Sequence, residues 1–426
     1  MNSNYSMTIN KLEEKVSVKE MSLIDSLFRR ILYKYLDSIE IGELTIIENG
    51  QEYVFGKGHH EYKASLEITD PAAFSMIILG GDIGAAKAFM QEYWCSDDLV
   101  ALIRLFIRNK HLLSKISRWR ALLKKPSSIL YNMIYRNTHS GSRKNIEAHY
   151  DLSNDFYKLF LDETMNYSCG IFPAEKSSMK DASIEKMDRI CKKLDLKPED
   201  NVLEIGTGWG GMAVYAAKNY GCRVTTTTIS NEQYSYVKEL IRNEDLEDRI
   251  TLLNKDYREL TGEFDKIVSV EMIEAVGYEY IPEFLKTCDL LLENDGIMVM
   301  QGITMNEQHF DQYLKTVDFI QKYIFPGACL ISVSHVLSTL KKKTALNLVN
   351  LEDITPHYAE TLNEWRNGFM ENLDEVRKLG FSEHFINMWE YYFCSCEAGF
   401  RERHIGDIQM TFAKPGNRRD PILGVI

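Results

Sequence analysis

Hydrophobic and polar positions change their period several times along the chain. From Ser22 to Leu36 apolar residues recur at helical spacing, and Ser22 stands where an N-cap belongs. Between residues 40 and 68 the period falls to two, as in Leu44-Thr45-Ile46-Ile47-Glu48 and again from Glu61 to Ile68, with Asn49-Gly50 as the turn between strands. Helical spacing returns from Pro71 to about Leu123. Pro126-Ser127-Ser128 and the stretch Asn137 to Ser142 are polar and Gly/Ser-containing, the best linker in the chain. From about residue 200 short apolar runs alternate with helical segments: Val202–Ile205, Val224–Thr228, Ile250–Leu253, Lys266–Val270 and Ile297–Gln301. That alternation predicts a parallel sheet wrapped by helices. Residues 305–390 read as mostly helical, and Gly406–Phe412 as a late strand. The predicted organisation is a small α+β domain over residues 1–125, opening on a frayed terminus, a linker over 126–145, and an α/β domain over 146–426.

Composition narrows the class. The 426 residues leave room for two or three domains, and 45% apolar with 26% charged residues excludes a mostly disordered or fibrous chain. Uninterrupted apolar runs such as Leu99–Ile103 fall far short of the roughly 20 residues a bilayer span needs. The polar first 20 residues hold no apolar signal core, and the eight cysteines are scattered without a CxxC pair, so reduced thiols and a cytoplasmic location are expected. Cys394 and Cys396 have no accompanying His or Cys cluster, and no metal site is predicted. The net charge is −12, but eleven Lys/Arg lie between Asp98 and Glu147 with no acid among them. This basic belt, from Arg104 to Lys144, interleaves with apolar residues and Trp119, a composition suited to an anionic membrane surface. Nucleic acid is a poor partner for an acidic chain without a binding motif.

The sharpest motif is Val202-Leu203-Glu204-Ile205-Gly206-Thr207-Gly208-Trp209-Gly210-Gly211, a strand running into clustered glycines and then a helix. Glycines there let the backbone turn tightly and approach a ligand. The E-x-G-x-G-x-G form resembles motif I of the S-adenosylmethionine (SAM)-dependent methyltransferases. The resemblance implies that Gly206, Gly208 and Gly210 lie against the methionine part of the cofactor, with Glu204 nearby. It also implies that Asp256, in Asp256-Tyr257-Arg258 after the third strand, approaches the adenine amine, with Tyr257 beside it. The second strand ends Thr225-Thr226-Thr227-Thr228-Ile229-Ser230 without the usual acid for the ribose, and Thr228, Ser230 and Gln233 are the candidates to replace it.

Further segments narrow the resemblance. They are His149 to Tyr157, Met165-Asn166-Tyr167-Ser168-Cys169-Gly170, Ser269-Val270-Glu271-Met272-Ile273-Glu274-Ala275-Val276-Gly277, Lys322 to Gly327, Trp389 to Phe393, and Gly399-Phe400-Arg401. Together they resemble the cyclopropane-fatty-acyl-phospholipid synthase family, which includes the mycolic acid methyltransferases. The likeness is strong over about residues 140–415 and weaker through the first block. It implies a Rossmann-like class I methyltransferase sheet with a helical cap, and an N-terminal lipid-engaging domain. It implies SAM-dependent methylene transfer to the cis double bond of an unsaturated phospholipid acyl chain, from the inner face of the membrane. Methyl or methylene branching is the alternative outcome; amine methylation and a non-catalytic lipid-binding role are the remaining rivals. Tyr167 and Ser168 are implied near the cofactor. The ring-closing base is implied to be a bound bicarbonate, held by backbone at Cys169 and Ile303 and by the side chains of Glu274 and Tyr323. Gln301 stands where many bacterial members carry His, and so resembles the plant-like branch; an amide donates and accepts hydrogen bonds but does not titrate. Cys169 lacks the partners of a nucleophile. A homodimer is a further implication.

Overall fold

The computed structural model describes residues 21–56, 62–111, 137 and 152–420. These fall into two compact units, one drawn from the residues before 125 together with Glu383–Tyr391, the other from the rest.

In the first unit the helix Leu23–Leu36 starts on Ser22, whose side chain accepts the Asp25 N–H at 3.1 Å. Strands β1 (Glu43–Glu48) and β2 (Gln51–Phe55) form an antiparallel hairpin. Asn49 and Gly50 close it with φ of 52° and 76°, the left-handed pair that a two-residue turn requires. β3 (Lys63–Ile68) lies parallel to β1, and the short β4 (Trp94–Cys95) adds antiparallel to β3. The expected helical run after Pro71 is therefore interrupted. Helices Ala72–Gly80 and Asp82–Met90 end at a reversal where Glu92 has φ of 58°, which returns Trp94 to the sheet edge. Asp98 then caps the helix Leu99–Arg108 by accepting the Ala101 N–H at 2.8 Å. Of the basic belt, Arg104, Arg108 and Lys110 are described; both guanidinium groups lie over the ring of Tyr62. The other eight belt residues, Trp119, His149, the linker except Asn137, and residues 1–20 lie outside the described residues.

The second unit holds seven strands: β5 (Asn201–Ile205), β6 (Arg223–Thr228), β7 (Ile250–Asn254), β8 (Phe264–Val270), β9 (Leu292–Met305), β10 (Asn347–Asp353) and β11 (Ile405–Ala413). Their order is β10-β11-β9-β8-β5-β6-β7. The five expected strands are parallel, and β11 inserts antiparallel between β9 and β10. β10 breaks the stretch that helical spacing suggested. It is an edge strand with alternate residues exposed, and its short Asn347-Leu348-Val349-Asn350-Leu351 alternation is hidden between two long helices. One face of the sheet packs against Met187, Ile190, Met212, Ala216, Val237 and Ile241. The other packs against Phe284, Leu285, Val336 and Leu340. The chain order reverses between β5 and β8, and in open α/β sheets ligands bind at the carboxyl ends flanking such a switch. Among the described residues no helix is long and apolar enough to cross a membrane.

Phe284 is fully buried in the helix Ile281–Leu291, its ring 5.3 Å from that of Tyr257 at the mouth of the switch. Phe284→Ala is expected to cost about 3–5 kcal/mol, read as a fall in the urea midpoint at unchanged slope.

Candidate active site

The glycine turn sits at the carboxyl end of β5. Gly206, Gly208 and Gly210 have φ of 98°, 54° and 86°, all left-handed. A Cβ on Gly206 would lie 2.9 Å from Met272 Cγ, whereas one on Gly208 would meet nothing within 4 Å. The turn is thus closed toward the β8 loop and open on its other side. Glu204 is buried under it, with Thr226 Oγ1 donating to its Oε2 and Thr207 Oγ1 2.6 Å from Thr226 Oγ1. Burial pushes its carboxyl up to about 8, against the opposing Thr226 hydrogen bond.

At the end of β6, Thr228 Oγ1 donates to Gln233 Oε1 at 2.8 Å, so Gln233 has its amide N–H groups left to offer. Ser230 is a helix cap, accepting the Gln233 N–H at 3.3 Å. At the end of β7, Arg258 spans both oxygens of Asp256, Nε to Oδ1 at 2.8 Å and Nη2 to Oδ2 at 2.7 Å. Any amine approaching Asp256 therefore shares a carboxylate already chelated within its own turn. Tyr257 is buried against Phe284, and its hydroxyl has no hydrogen-bond partner among the described residues.

Before β5, Tyr167 lies in an aromatic wall. Its ring centroid is 5.0 Å from Trp365, 6.3 Å from Phe325 and 6.4 Å from Trp209, and its hydroxyl donates to Tyr392 at 3.1 Å. Ser168 accepts from the buried Lys186 Nζ at 2.7 Å, and the same ammonium donates to Asn166 at 3.0 Å. Cys169 is fully buried, and burial, followed by the nearby Asp407 and Glu271, raises its thiol well above the usual range; it is no thiolate nucleophile.

Three carboxyl groups meet beyond the end of β8. Glu271 takes φ of 47°, left-handed for a residue other than glycine, and is only partly buried. Its Oε1 accepts the Cys169 N–H at 2.8 Å and Gln301 Nε2 at 2.8 Å, and its Oε2 accepts the Tyr358 hydroxyl at 2.5 Å. Glu274 accepts the Ile303 N–H on Oε1 at 2.5 Å, and its buried Oε2 has no partner among the described residues. Burial and then the Glu271 charge push Glu274 up to about 8. Asp407, on β11 opposite Ile303, is fully buried; its Oδ2 accepts Gln301 Nε2 at 3.1 Å, and its Oδ1 has no partner among the described residues. Burial and the two glutamates raise it well above the carboxylate range. Burial raises Glu271 as well, but the Tyr358 and Cys169 hydrogen bonds, the Lys186 charge and the Gln301 hydrogen bond oppose it; with three donors against one each for the others, Glu271 is the member of the cluster best provided to carry a negative charge.

Cys169, Glu274, Gln301 and Ile303 thus come together as expected. The phenol that reaches the cluster is Tyr358, not Tyr323. Tyr323 sits on a π-turn, Ile320–Ile324, with its ring against Phe319 and the Lys322 ammonium 5.1 Å from its centroid. The pocket does not fit the implied bicarbonate. The two backbone donors assigned to it are spent on Glu271 and Glu274, and a further anion would face three carboxyl groups. The glycine turn does fit SAM: it is open at Gly208 and borders the β8 loop that bears Glu271. Glu271, Tyr358 and Lys186 had no role assigned from sequence, though Glu271 stands within the Ser269–Gly277 segment. Among the described residues no group of His, Cys, Asp and Glu is arranged to hold a metal ion.

A family described as mycolic acid cyclopropane synthetase matches residues 137–410. A tuberculostearic acid methyltransferase of Mycobacterium tuberculosis is 34% identical over 346 residues, 79% of this chain and 80% of that protein. The cyclopropane-fatty-acyl-phospholipid synthase of Escherichia coli is 32% identical over 353 residues, 82% and 88% of the two chains. A solved cyclopropane synthase from M. tuberculosis superposes with a TM-score of 0.60 at 30% identity, covering 64% of this chain and 98% of its own. A coclaurine N-methyltransferase, at 19% identity and a TM-score of 0.58, shares the fold.

The raised carboxyl of Glu274 has a consequence for stability. The folded protein keeps its proton from pH 4.5 up to about 8, while the unfolded chain releases it above 4.5. Bound protons in excess in the native state make stability fall as pH rises across that window. Glu274→Gln removes this loss, and its Tm should gain on wild type from pH 5 to pH 8, by at least a few degrees.

Proposed function

The chain belongs to the mycolic acid cyclopropane synthetase family, and on that premise we propose that it methylates the cis double bond of an unsaturated phospholipid acyl chain and closes a cyclopropane ring. The enzyme is a SAM-dependent methyltransferase. The observation that carries the finer reading is the convergence of three donors, the Cys169 N–H, Gln301 Nε2 and the Tyr358 hydroxyl, on the carboxylate of Glu271, one residue from Met272, which packs on the glycine turn.

SAM supplies an electrophilic methyl group, which leaves a positive charge on the acyl chain once the alkene has taken it. The Gly206–Gly210 backbone lets that cofactor approach closely, and the Gln233 amide offers donors at the end of β6. Tyr167, Trp365, Trp209 and Phe325 present aromatic rings that exclude water and favour a cation. A base must then take a proton from the delivered methyl group. The C–H electron pair forms the second ring bond, quenching the cation, and the proton passes to the Glu271 carboxylate. Cys169 N–H, Gln301 Nε2 and the Tyr358 hydroxyl keep that carboxylate charged and aimed. Glu274 and Asp407 remain neutral beside it, and no bicarbonate is required.

Loss of a different proton from the same cation gives a methylene branch, an isomer of the cyclopropane. The likeness to a protein named a tuberculostearic acid methyltransferase supports methylation without ring closure as the second outcome. Delivery of the lipid is read as peripheral membrane binding through the first unit. Its helix Leu23–Leu36 exposes Leu23, Ile24 and Leu27 on one side.

Purified protein incubated with SAM and vesicles of mono-unsaturated phospholipid should yield acyl chains one CH₂ heavier by mass spectrometry. Proton NMR should then separate cyclopropane from methylene branching. Glu271→Gln is expected to bind SAM normally while turnover falls by about 10²–10⁴, and wild-type turnover should persist in buffer freed of bicarbonate. Turnover that needs added bicarbonate, with Glu271→Gln still active, would remove Glu271 from this role.

A further inference from the structure

The donors around Glu271 are fixed from a distance. Gln301 on β9 lies directly opposite Gln409 on β11, both fully buried. Gln409 Nε2 donates to Gln301 Oε1 at 3.0 Å, and Gln301 Nε2 donates onward to Glu271 Oε1 and Asp407 Oδ2. At the other end, Lys193 Nζ donates to Gln409 Oε1 at 2.7 Å. Lys193 lies on the helix Met179–Leu194, with its side chain 1% exposed. Its charge is balanced by Glu352 on β10, at 2.5 Å, a carboxylate that also pairs with Arg189.

We propose that Lys193 is a positioning residue for the reaction: its ammonium fixes the direction of the Lys193–Gln409–Gln301 hydrogen-bond chain so that Gln301 donates into Glu271. The inference rests on the reading of Glu271 as base. Two buried amides in series have two polarities, because each can turn end for end. In the reversed state Gln301 presents Oε1 to the Glu271–Asp407 pair, and Gln409 presents its N–H groups to Lys193. An ammonium has three donors and no lone pair, so that state sets donor against donor in a buried site. The charge on Lys193 excludes it. Glu271 only accepts while ionised but can take up a proton, both glutamines accept reversal, and protonated Asp407 can donate to an amide oxygen; the ammonium of Lys193 is the member of the path that holds one role whatever the protonation of the carboxyl cluster.

Without Lys193 the reversed state is no longer barred, and in it Glu271 exchanges a donor for a lone pair. The groups that then face it are Asp407 from β11, Glu274 from the helix after β8, Tyr358 from the helix Thr355–Glu371, Lys186 from the helix Met179–Leu194, and the Cys169 N–H. None of these replaces the lost bond. The ionised form of Glu271 is disfavoured, its proton is held to higher pH, and the base is filled at neutrality.

The test compares wild type with Lys193→Met, Gln409→Met, the double variant, and Lys192→Met. Lys192 is a half-exposed neighbour paired with Asp188 and serves as control. Turnover of SAM and unsaturated phospholipid vesicles is measured from about pH 5 to about pH 9, with SAM affinity and lipid KM alongside. The carboxyl titration of ¹³C-glutamate-labelled protein, assigned by the resonance lost in Glu271→Gln, is followed by NMR. Lys193→Met and Gln409→Met should each move the acid limb of kcat and the Glu271 titration upward by about one pH unit or more. SAM affinity and lipid KM should hold, and activity should return at high pH. The double variant should shift no further than Gln409→Met alone, because both break one chain. Lys192→Met should leave the limb in place. A kcat lowered equally at every pH, with the titration unmoved, would make Lys193 merely structural and overturn the proposal. If wild type makes no acyl product, the substrate reading fails by itself and the NMR titration alone decides the role of Lys193.

Discussion

The catalytic end of this molecule depends on one hydrogen bond, from the Cys169 amide to the Glu271 carboxylate. Three carboxyl groups packed together in a protein interior cannot all be ionised. The fold settles the conflict by distributing donors unequally. Cys169 N–H, Gln301 and Tyr358 converge on Glu271 and favour its ionised form against its burial, while burial raises Glu274 and Asp407 with fewer donors to oppose it. The bond also ties the segment before β5 to the end of β8, so the aromatic wall and the glycine turn share one floor.

The parts that supply those donors come from across the second unit. Gln301 and Asp407 sit on β9 and β11, whose antiparallel pairing the parallel core alone would not supply. Tyr358 arrives from a helix following β10, and Lys186 from the helix that precedes β5. The late antiparallel strand is therefore more than an edge closure. It brings Asp407 and Gln409 into register with Ile303 and Gln301, and makes a charge-setting network out of what would otherwise be a sheet of apolar residues.

How much of this the sequence discloses depends on the length scale of each signal. Strand β5 with its glycines, the hairpin at Asn49-Gly50 and the Ser22 cap are local, and local chemistry is legible. Cys169, Glu274, Gln301 and Ile303 were legible as a set through resemblance. β4 and β10 were not: two residues in one case and a sparse alternation in the other are too little signal for strands that exist because a neighbouring edge receives them. Tyr358 was not legible because its value lies in reaching Glu271 across the fold, 87 residues away in sequence. Lys186 and Lys193 offered one overlooked hint. They stand seven residues apart, on the face of their helix that also bears Ile190 and Cys191, and two lysines on an apolar face imply buried acceptors.

The backbone of Glu271 has a further meaning. With φ of 47° it occupies a conformation that costs any residue with a Cβ and suits glycine. A chain carrying glycine there would relax the backbone and lose the carboxylate in the same step. It would leave behind the Cys169 N–H and the Tyr358 hydroxyl without the acceptor they now share. On the reading of Glu271 as the base, one substitution therefore separates a site that owns its base from one that must borrow it.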